Sequence, residues 1–581
     1  MVSTMVSRVK IKFQGDALAA ACGVVFFGLS VGFEKLNPQN VSWLTFGDQQ
    51  THWLGWRFFA ADSWRWPLGA NPTYGWDRMN SIVFTDSFPG LALFFKALNL
   101  EVFDSGQYFG IGFLVSAVAL FLGGRKLFLR LGLSFWPALL AAAILGTTPL
   151  FWWMQRWYPA LSSGVPLLVW ALYIYLDKDP SSPRLFRRWL ALLVAALATQ
   201  AYLFLAVAGF FAATLIRRFV QNSSERRTLV VGCGVVVSLC TFVMYALGYY
   251  TVPSKWAQTG GYGWYSANLL GLIDQNDASR WMPDLPSISG QYEPTALSSG
   301  TLIILAILIG SQLVMQKPLG LRVLIREHFP LVGVLGVLLL VSVTNTISFG
   351  STSFKVPLPE RLEHALSIFR SSARFVWPTL VVLSVVTIVF VARRIRHTSV
   401  LLAAVLLFQV VDYGPEFGTV SSERNGRSSS ITFDESFWER VPSAYEKIST
   451  HPAASLGLDW AVCAYAAVET KRIGECGYFS RVQGLEGVNR SQSQALFSGN
   501  LDAATVYWVS IGWLQENLGA LIDVYSATDT EVFISHKGGV TSDASVLIFP
   551  VCEVHDACSF LGDDRETLGQ FLRELKTAPQ T

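Results

Sequence analysis

The sequence predicts an α-helical polytopic membrane protein of about eleven transmembrane helices, followed by a soluble C-terminal α/β domain. Three observations lead to this fold class. The 581 residues are 52% hydrophobic and 15% charged, whereas soluble domains are about 25% charged. Long apolar runs recur through residues 1–413. From residue 414 onward, helix-like stretches ("FWERVPSAYEKI", "LGQFLRELK") alternate with strand-like ones ("ATVYWVSI", "TEVFISH", "SVLIFPV"), which indicates a separate domain over 414–581.

Eleven apolar runs are long enough to cross a bilayer when tilt and short hairpins are allowed. They lie near residues 17–35, 107–124, 134–152, 159–176, 187–201, 203–217, 228–249, 298–315, 329–345, 374–392 and 398–413. The first run follows Arg8, Lys10 and Lys12 and is longer than the core of a cleaved signal peptide. We therefore expect a retained first span and a cytoplasmic N-terminus.

Lysine and arginine collect in alternate loops, as they do on the cytoplasmic side of membrane proteins. The other side receives three long outer loops, 36–106, 250–297 and 346–373. Because the number of predicted spans is odd, the C-terminal domain should also lie on the outer, periplasmic side. The net charge is only +3 and the basic residues are dispersed, so nucleic-acid binding is excluded as a function class.

Four of the seven cysteines lie in the C-terminal domain, where an oxidising compartment favours disulfides. The simplest pairing is Cys463–Cys476 with Cys552–Cys558, although two other pairings are open. A metal site in "CEVHDAC" that uses His555 and Asp556 is an alternative. The domain contains no Gly-rich phosphate loop and no nucleophile elbow, which favours a lid or a partner-binding module.

The first outer loop contains "FGDQQTHWLGWRFF", in which aromatic residues recur at helical spacing after Asp48. This spacing predicts a helix that lies in the membrane interface. A carboxylate at that depth can act as a general base or as a ligand of a divalent cation. The alternative for Asp48 is an ordinary helix N-cap. Asp86 in "TDSFPG" is a second acid candidate, with a cap or turn residue as its alternative.

The second outer loop is rich in aromatic and amide side chains, a composition that suits a sugar pocket. An ordinary ordered loop is the alternative. The candidate pocket residues, together with His52 of the first outer loop, are Tyr262, Tyr265, Asn268, Gln291, Tyr292 and Glu293.

The third outer loop ends in "SIFRSSARFVWP", directly before a predicted span. Arg370 and Arg374 are four residues apart, so on a helix they would share one face and could bind a phosphate together. Arginines on the outer side also run against the usual charge distribution. The alternative is interfacial snorkelling. Arg156 and Lys355 are weaker candidates for the same anion.

These features together resemble the GT-C-fold membrane glycosyltransferases, in which a first span is followed by an Asp-led interfacial helix. The stretches "GDQQTHWLGWRFF", "SIVFTDSFPGLALFFKAL", "MPDLPSISGQYEP" and "FRSSARFVWP" look like those of a bacterial family of such proteins. The resemblance implies that Asp48 is the catalytic acid and that Arg370 and Arg374 lie in the family's Arg-Ser-Ser block. It implies a polyprenyl-phosphate sugar donor, an acceptor in the cell envelope and a location in the bacterial inner membrane.

The resemblance implies no specific cofactor, and a divalent cation, Mg²⁺ or Mn²⁺ bound by Asp48, is compatible with it. Two departures stand out. The sequence has "RWYPAL", with Trp157 and Tyr158, where a Gly-His is expected, and "QAY", residues 200–202, where relatives have His-Pro-Tyr.

Three functions are compatible with these patterns. An inverting glycosyltransferase explains acids and arginines at the outer ends of spans. A transporter or an assembly scaffold for envelope polysaccharide or lipid is a second possibility, but transporters carry their acids near the midplane of the bilayer. A degenerate glycosyltransferase fold that serves another enzyme is the third.

Overall fold

The computed structural model describes residues 2–152, 161, 163–177, 182–253, 262–315, 320–425, 431, 433–453, 459–477, 479, 485–527, 532–539, 545–550, 561 and 566–577, with side chains from Gln14 onward. Most of these residues are helical, and a sheet region follows the helical body. The predicted combination of a helical part and a C-terminal α/β part is therefore confirmed at this coarse level.

The helical body is built from seventeen α-helices within the described residues. They are α1 Val2–Ser30, α2 Gln49–Ala61, α3 Pro89–Leu98, α4 Glu101–Asp104, α5 Phe109–Arg130, α6 Phe135–Gly146, α7 Pro149–Trp152, α8 Val165–Tyr175, α9 Ser182–Leu197, α10 Ala201–Gln221, α11 Arg226–Leu247, α12 Ser299–Met315, α13 Leu321–Glu327, α14 Phe329–Val343, α15 Glu360–Leu366, α16 Trp377–Ala392 and α17 Thr398–Asn425.

The eleven predicted spans all overlap these helices, but their number as membrane-crossing helices is smaller. Within the described residues, five segments are long and apolar enough to cross a membrane. They are Phe109–Arg130, Ala201–Gln221, Ser223–Leu247, Ser372–Ala392 and Thr398–Phe417. A sixth is added if α13 and α14, which meet at 88°, form one broken span. The run near 134–152, for example, is divided between α6 and α7 by a turn.

The helix predicted after Asp48 is present as α2, but it does not lie exposed at an interface. All side chains from Gln49 to Phe59 are buried. One side of α2 packs on the turn that contains Thr85, where a side chain on Gly55 would meet the Thr85 hydroxyl at 2.3 Å. The periodicity of the aromatic residues identified the helix correctly, but its second face is covered by residues far along the chain.

Two strands of the helical body, β1 Thr346–Phe349 and β2 Thr352–Lys355, form a small hairpin. The sheet region contains the other six strands, β3 Lys447–His451, β4 Ile473–Glu475, β5 Thr505–Ser510, β6 Phe533–Ser535, β7 Ser545–Phe549 and β8 Glu566–Thr567. The six strands lie in the order β4-β3-β5-β7-β6-β8. Strand β3 is parallel to β4 and β5, and the remaining pairs are antiparallel. In register, Ile448 lies opposite Val506.

Helices flank these strands. They are α18 Glu435–Trp438, α19 Asp459–Glu469, α20 Leu485–Ser498, α21 Ile511–Glu516, α22 Leu518–Ala527 and α23 Leu568–Thr577. The predicted strands in "ATVYWVSI", "TEVFISH" and "SVLIFPV" and the predicted helix in "LGQFLRELK" are confirmed. The helix predicted over "FWERVPSAYEKI" is wrong beyond Trp438, because Pro442 interrupts it and Lys447 begins β3.

The sheet region and the helical body are joined by main-chain hydrogen bonds. The N–H of Gly75 donates to the carbonyl of Gly474 at 2.8 Å, and the N–H of Gly474 donates to the carbonyl of Thr73 at 2.9 Å. Tyr74 therefore pairs in parallel with edge strand β4. Its ring stacks on Phe58 of α2 with a centroid separation of 4.4 Å. The C-terminal part thus fixes the helix that follows Asp48.

A second link joins α2 to α19. The Arg57 guanidinium lies 2.9 Å from the Glu469 carboxylate, and the arginine is almost fully buried. The predicted Cys463–Cys476 disulfide is confirmed and ties α19 to the end of β4. Cys552, Cys558, His555 and Asp556 lie outside the described residues. The disulfide therefore holds together the two elements that contact the helical body.

Candidate functional site

A polar cavity of about 200 Å³ lies where the predicted outer loops meet. Its walls come from the start of α2, the turn before α3, the junction between α9 and α10, and the segment before α16. It brings together seven sequence-predicted site residues, which are Asp48, His52, Asp86, Tyr265, Tyr292, Arg370 and Arg374. Residues from three separate loops therefore form one site.

Asp48 is half-buried and lies at the N-cap position of α2. Its side chain makes no capping hydrogen bond, and its backbone is already in the right-handed helical region rather than the extended conformation of a typical cap. The N-cap alternative therefore fails to explain this side chain. Its carboxylate lines the cavity instead.

His52 lies one turn further along α2 and is 2% exposed. Its Nδ1 lies 3.0 Å from the carbonyl of Thr85, which requires Nδ1 to carry the proton and donate it. The other ring nitrogen, Nε2, is buried and has no hydrogen-bond partner among the described residues. The ring therefore adds a polar atom to the acidic side of the cavity.

Asp86 is a turn residue, as its alternative interpretation expected. Its φ of 51° places it in the left-handed region, which Asp tolerates better than most residues. The turn aims the carboxylate toward α10, where the Gln200 side-chain amide donates to Asp86 Oδ1 at 3.2 Å. The second acid of the cavity thus has an orienting partner.

Gln200 and Tyr202 are cavity residues that the sequence interpretation did not place in the site. Gln200 also caps α10 by accepting from the N–H of Tyr202 at 2.8 Å. The Tyr202 hydroxyl accepts from the N–H of Ser371 at 2.9 Å. The sequence did contain a signal for these two residues. "QAY" stands where relatives have a His-Pro-Tyr motif, but the sequence interpretation assigned this motif no role in the site.

Arg374 is buried and already paired. Its Nη2 lies 2.7 Å and its Nε 2.9 Å from Oε1 of Glu293, and both side chains are at most 7% exposed. The guanidinium also lies over the Tyr202 ring, 5.0 Å from the centroid. Its positive charge is therefore balanced within the protein, and Glu293 acts as its counter-ion rather than as a sugar-binding residue.

Arg370 is half-buried, and Tyr265 is one of its partners. Its Nη2 donates to the Tyr265 hydroxyl at 2.9 Å, and its guanidinium lies over the same ring. The prediction that Arg370 and Arg374 share one helical face is wrong. Arg374 lies in a 3-10 helix, Ser372–Val376, and Arg370 lies in the bend before it. Both nevertheless line the same cavity.

Four other predicted site residues are not among the described side chains that line the cavity. Asn268 and Gln291 are buried and bond to each other at 2.9 Å, so they hold the second outer loop together. Lys355 is 66% exposed in β2 and faces Glu363 at 3.7 Å. Tyr262 also lies near Glu363. The pKa of its hydroxyl is raised mainly by burial and, to a smaller extent, by the Glu363 carboxylate. Arg156, Trp157 and Tyr158 lie outside the described residues.

In the part of the chain that the structure describes, no group of three or more His, Cys, Asp or Glu side chains is arranged to hold a metal ion. Asp48 and Asp86 still supply two carboxylates to one cavity. Mg²⁺ is often held by one or two carboxylates together with substrate phosphates and water. The residues therefore fit the divalent cation that the resemblance allows, and its presence stays a prediction.

Comparison with curated proteins and with solved structures finds no match. One family model covers residues 20–414, which is more than half of the chain and includes all three outer loops. The whole cavity lies inside this range. The chain therefore belongs to the family whose model is described as "Domain of unknown function (DUF6311)".

Proposed function

We propose that the protein is a glycosyltransferase of the bacterial inner membrane with a GT-C-like arrangement of about eleven membrane-embedded helices. It moves a sugar from a polyprenyl-phosphate donor to a hydroxyl of an envelope glycan or lipid on the periplasmic face. The proposal extends the five candidate spans to a multi-pass topology with a cytoplasmic N-terminus and a periplasmic sheet region.

Asp48 is the proton acceptor in this reaction. As the acceptor hydroxyl loses its proton to the Asp48 carboxylate, the hydroxyl oxygen forms a bond to the anomeric carbon of the sugar. The bond from that carbon to the polyprenyl-phosphate oxygen breaks, and the configuration at the carbon inverts. The negative charge that builds up on the departing phosphate is stabilised by Arg370.

Tyr265 and Tyr292 suit the donor sugar, because aromatic rings pack against the apolar faces of sugar rings. Their rings lie 5.7 Å apart at the cavity wall. Asp86 is available to orient the acceptor or to hold a divalent cation. Arg374 keeps the segment of Arg370 in place through its ion pair with Glu293.

The observation that carries the proposal is the meeting of opposite charges in one cavity. Arg370 lies more than 280 residues after Asp48 and Asp86 in the sequence, yet all three line the same 200 Å³ space. A proton acceptor opposite a phosphate-binding cation is the minimum that this transfer requires. A transporter site would instead be expected near the middle of the helices.

The test uses the purified full chain in nanodiscs, with a panel of radiolabelled polyprenyl-phosphate sugars and envelope acceptors. Asp48→Asn should lower the rate of transfer by about 10²- to 10⁴-fold, the usual contribution of a general base. Asp104→Asn is the matched control, because Asp104 is an exposed acid of the same loop, outside the cavity lining.

Equal transfer by the wild type and Asp48→Asn would refute the role of Asp48. If the wild type transfers none of the donors while its thermal unfolding shows a folded protein, the glycosyltransferase proposal is wrong and a scaffold or transporter is favoured.

A further inference from the structure

A second cavity, of about 440 Å³, lies in the helical body between α8, α14 and α16, with α13 across one end. Aliphatic side chains form nearly all of its wall, among them Leu172, Leu335, Leu339, Val382 and Val386. The cavity reaches the protein surface where Val332 and Leu383 are 43% and 39% exposed. It is therefore an apolar groove, within the size range of ligand pockets.

The groove is long as well as apolar. Along α16 it extends from Thr379 to Arg393. At 1.5 Å per residue, this distance corresponds to about 21 Å, more than half of the roughly 30 Å hydrocarbon core of a bilayer. Such a shape suits an extended hydrocarbon chain better than a compact apolar molecule.

One end of the groove is basic. Arg393, Tyr175 and His328 line it there, and the Tyr175 hydroxyl lies 3.0 Å from Nδ1 of His328. The guanidinium of Arg217 lies over the Tyr175 ring at 5.4 Å, and its buried Nε has no hydrogen-bond partner among the described residues.

Acidic residues near this end leave a positive excess. Asp177 lies 2.5 Å from Arg188 and 3.5 Å from Arg130, so its charge is balanced by these two arginines. Glu327 lies beside His328, at the end of α13. The two positive charges of Arg217 and Arg393 exceed the one negative charge of Glu327, so this end of the groove is cationic. An apolar groove with a cationic end is complementary to an anionic amphiphile.

We propose that this groove binds a hydrocarbon chain of an anionic phospholipid, with the phosphate head group against Arg393 and Arg217. The basic end of the groove lies away from the polar cavity, because Arg374 precedes α16 and Arg393 follows it, which separates these two arginines by about 28 Å along the helix axis. The proposal depends on the membrane placement and does not depend on glycosyl transfer.

The test measures lipid binding to the purified full chain in mild detergent. The protein is incubated with vesicles of phosphatidylglycerol and phosphatidylcholine in equal amounts, and bound lipid is quantified by native mass spectrometry. The wild type should retain phosphatidylglycerol in preference to phosphatidylcholine. Leu335→Trp fills the groove and should reduce retained phosphatidylglycerol about tenfold, a loss of about 1.4 kcal/mol.

Leu340→Trp is the matched control on the same helix, because Leu340 is 75% exposed and does not line the groove. It should retain lipid as the wild type does. Arg393→Gln removes the charge at the exposed end of the groove, together with the hydrogen bond from Arg393 to the carbonyl of Leu131. It should abolish the preference for phosphatidylglycerol while leaving chain binding.

Three results would overturn the proposal: equal retention of both lipids by the wild type, equal retention of phosphatidylglycerol by Leu335→Trp and Leu340→Trp, or an unchanged preference in Arg393→Gln. Should Leu335→Trp unfold, the Arg393→Gln result decides alone. Sugar transfer by the same preparations is scored separately, so a failed glycosyltransferase assay leaves the lipid result interpretable.

Discussion

The two charged walls of the polar cavity are built in different ways. On the acidic wall, Asp48 makes no capping bond and His52 keeps one ring nitrogen without a described partner. On the basic wall, Arg374 is fixed by Glu293, and Arg370 bonds to Tyr265. The acidic wall thus leaves hydrogen-bonding capacity for a ligand, whereas much of the capacity of the basic wall is used inside the protein.

This difference predicts which substitutions should lower the stability of the fold and which should lower activity. A buried charge with a fixed counter-ion is needed for folding, and removing either partner leaves the other uncompensated. A half-buried carboxylate that contributes little to packing can be changed at small cost to the fold. The same reasoning applies to the two arginines of the basic wall. Although they are only four residues apart, we expect substitution of Arg374 to lower stability and substitution of Arg370 to lower activity.

The largest effect should come from Arg374→Gln, which leaves Glu293 buried without its cation. The free energy of unfolding should fall by about 3–5 kcal/mol. Thermal and denaturant unfolding of the purified protein measure this loss. Arg396→Gln, an exposed arginine after α16, is the control and should unfold like the wild type. A stable Arg374→Gln protein would contradict the structural role of this pair.

Arg370→Gln should instead act on the reaction. Loss of a cation that stabilises the departing phosphate should lower kcat/KM for transfer by about 10²- to 10³-fold, with an unfolding midpoint close to that of the wild type. Lys355→Gln is a sharp control, because Lys355 was predicted to bind the same anion but lies outside the cavity lining. Equal effects of the two changes would remove Arg370 from the site.

A smaller effect is expected where the sheet region supports the acidic wall. Arg57→Gln removes the ion pair between α2 and Glu469 and should cost about 1.5–3 kcal/mol, as expected for a hydrogen bond to a charged group. Limited proteolysis should then cleave the sheet region faster. Arg65→Gln, which removes a more exposed pair with Asp62, should change little. Unchanged proteolysis of Arg57→Gln would show that this ion pair is not needed to hold the sheet region to α2.

The smallest effect concerns Gln200, which orients Asp86. Gln200→Ala should lower the transfer rate about fivefold, equivalent to the roughly 1 kcal/mol of one hydrogen bond. If Gln200 acts through Asp86, the change should have no further effect in an Asp86→Asn background. Additive losses in the double variant would show that Gln200 acts on the substrate or on α10 instead.

Sequence patterns identified the main charged residues of the cavity but not their partners. Arg370 and Arg374 stand out because arginines are unusual on the outer side of a membrane protein, and Asp48 and Asp86 stand out because each precedes a short aromatic helix-like stretch. The Arg374–Glu293 pair spans 81 positions, so no local pattern could reveal it. Asn268 and Gln291 were assigned to a sugar pocket for a different reason. Amide side chains suit a sugar pocket and the inside of an ordered loop equally well, and the sequence does not distinguish the two.

The burial of α2 was beyond prediction for a related reason. The spacing of Trp53, Trp56 and Phe59 indicates one apolar face, which an interfacial helix and a buried helix share. The elements that pack on α2 decide between them, and they include α3 and, some 400 residues further on, α19. Among the described residues, the candidate spans are fewer than the eleven predicted runs because hydropathy measures apolar length, whereas a turn such as the one between α6 and α7 divides a run into shorter helices.

The pairing of Tyr74 with Gly474 has a practical consequence for work on the C-terminal part alone. Strand β4 is at the edge of the six-stranded sheet, and residues 73–75 supply the hydrogen bonds on its outer side. A fragment of residues 414–581 would leave this edge open, ready to pair with another copy. We expect such a fragment to aggregate, and a peptide that contains residues 70–78 to keep it in solution.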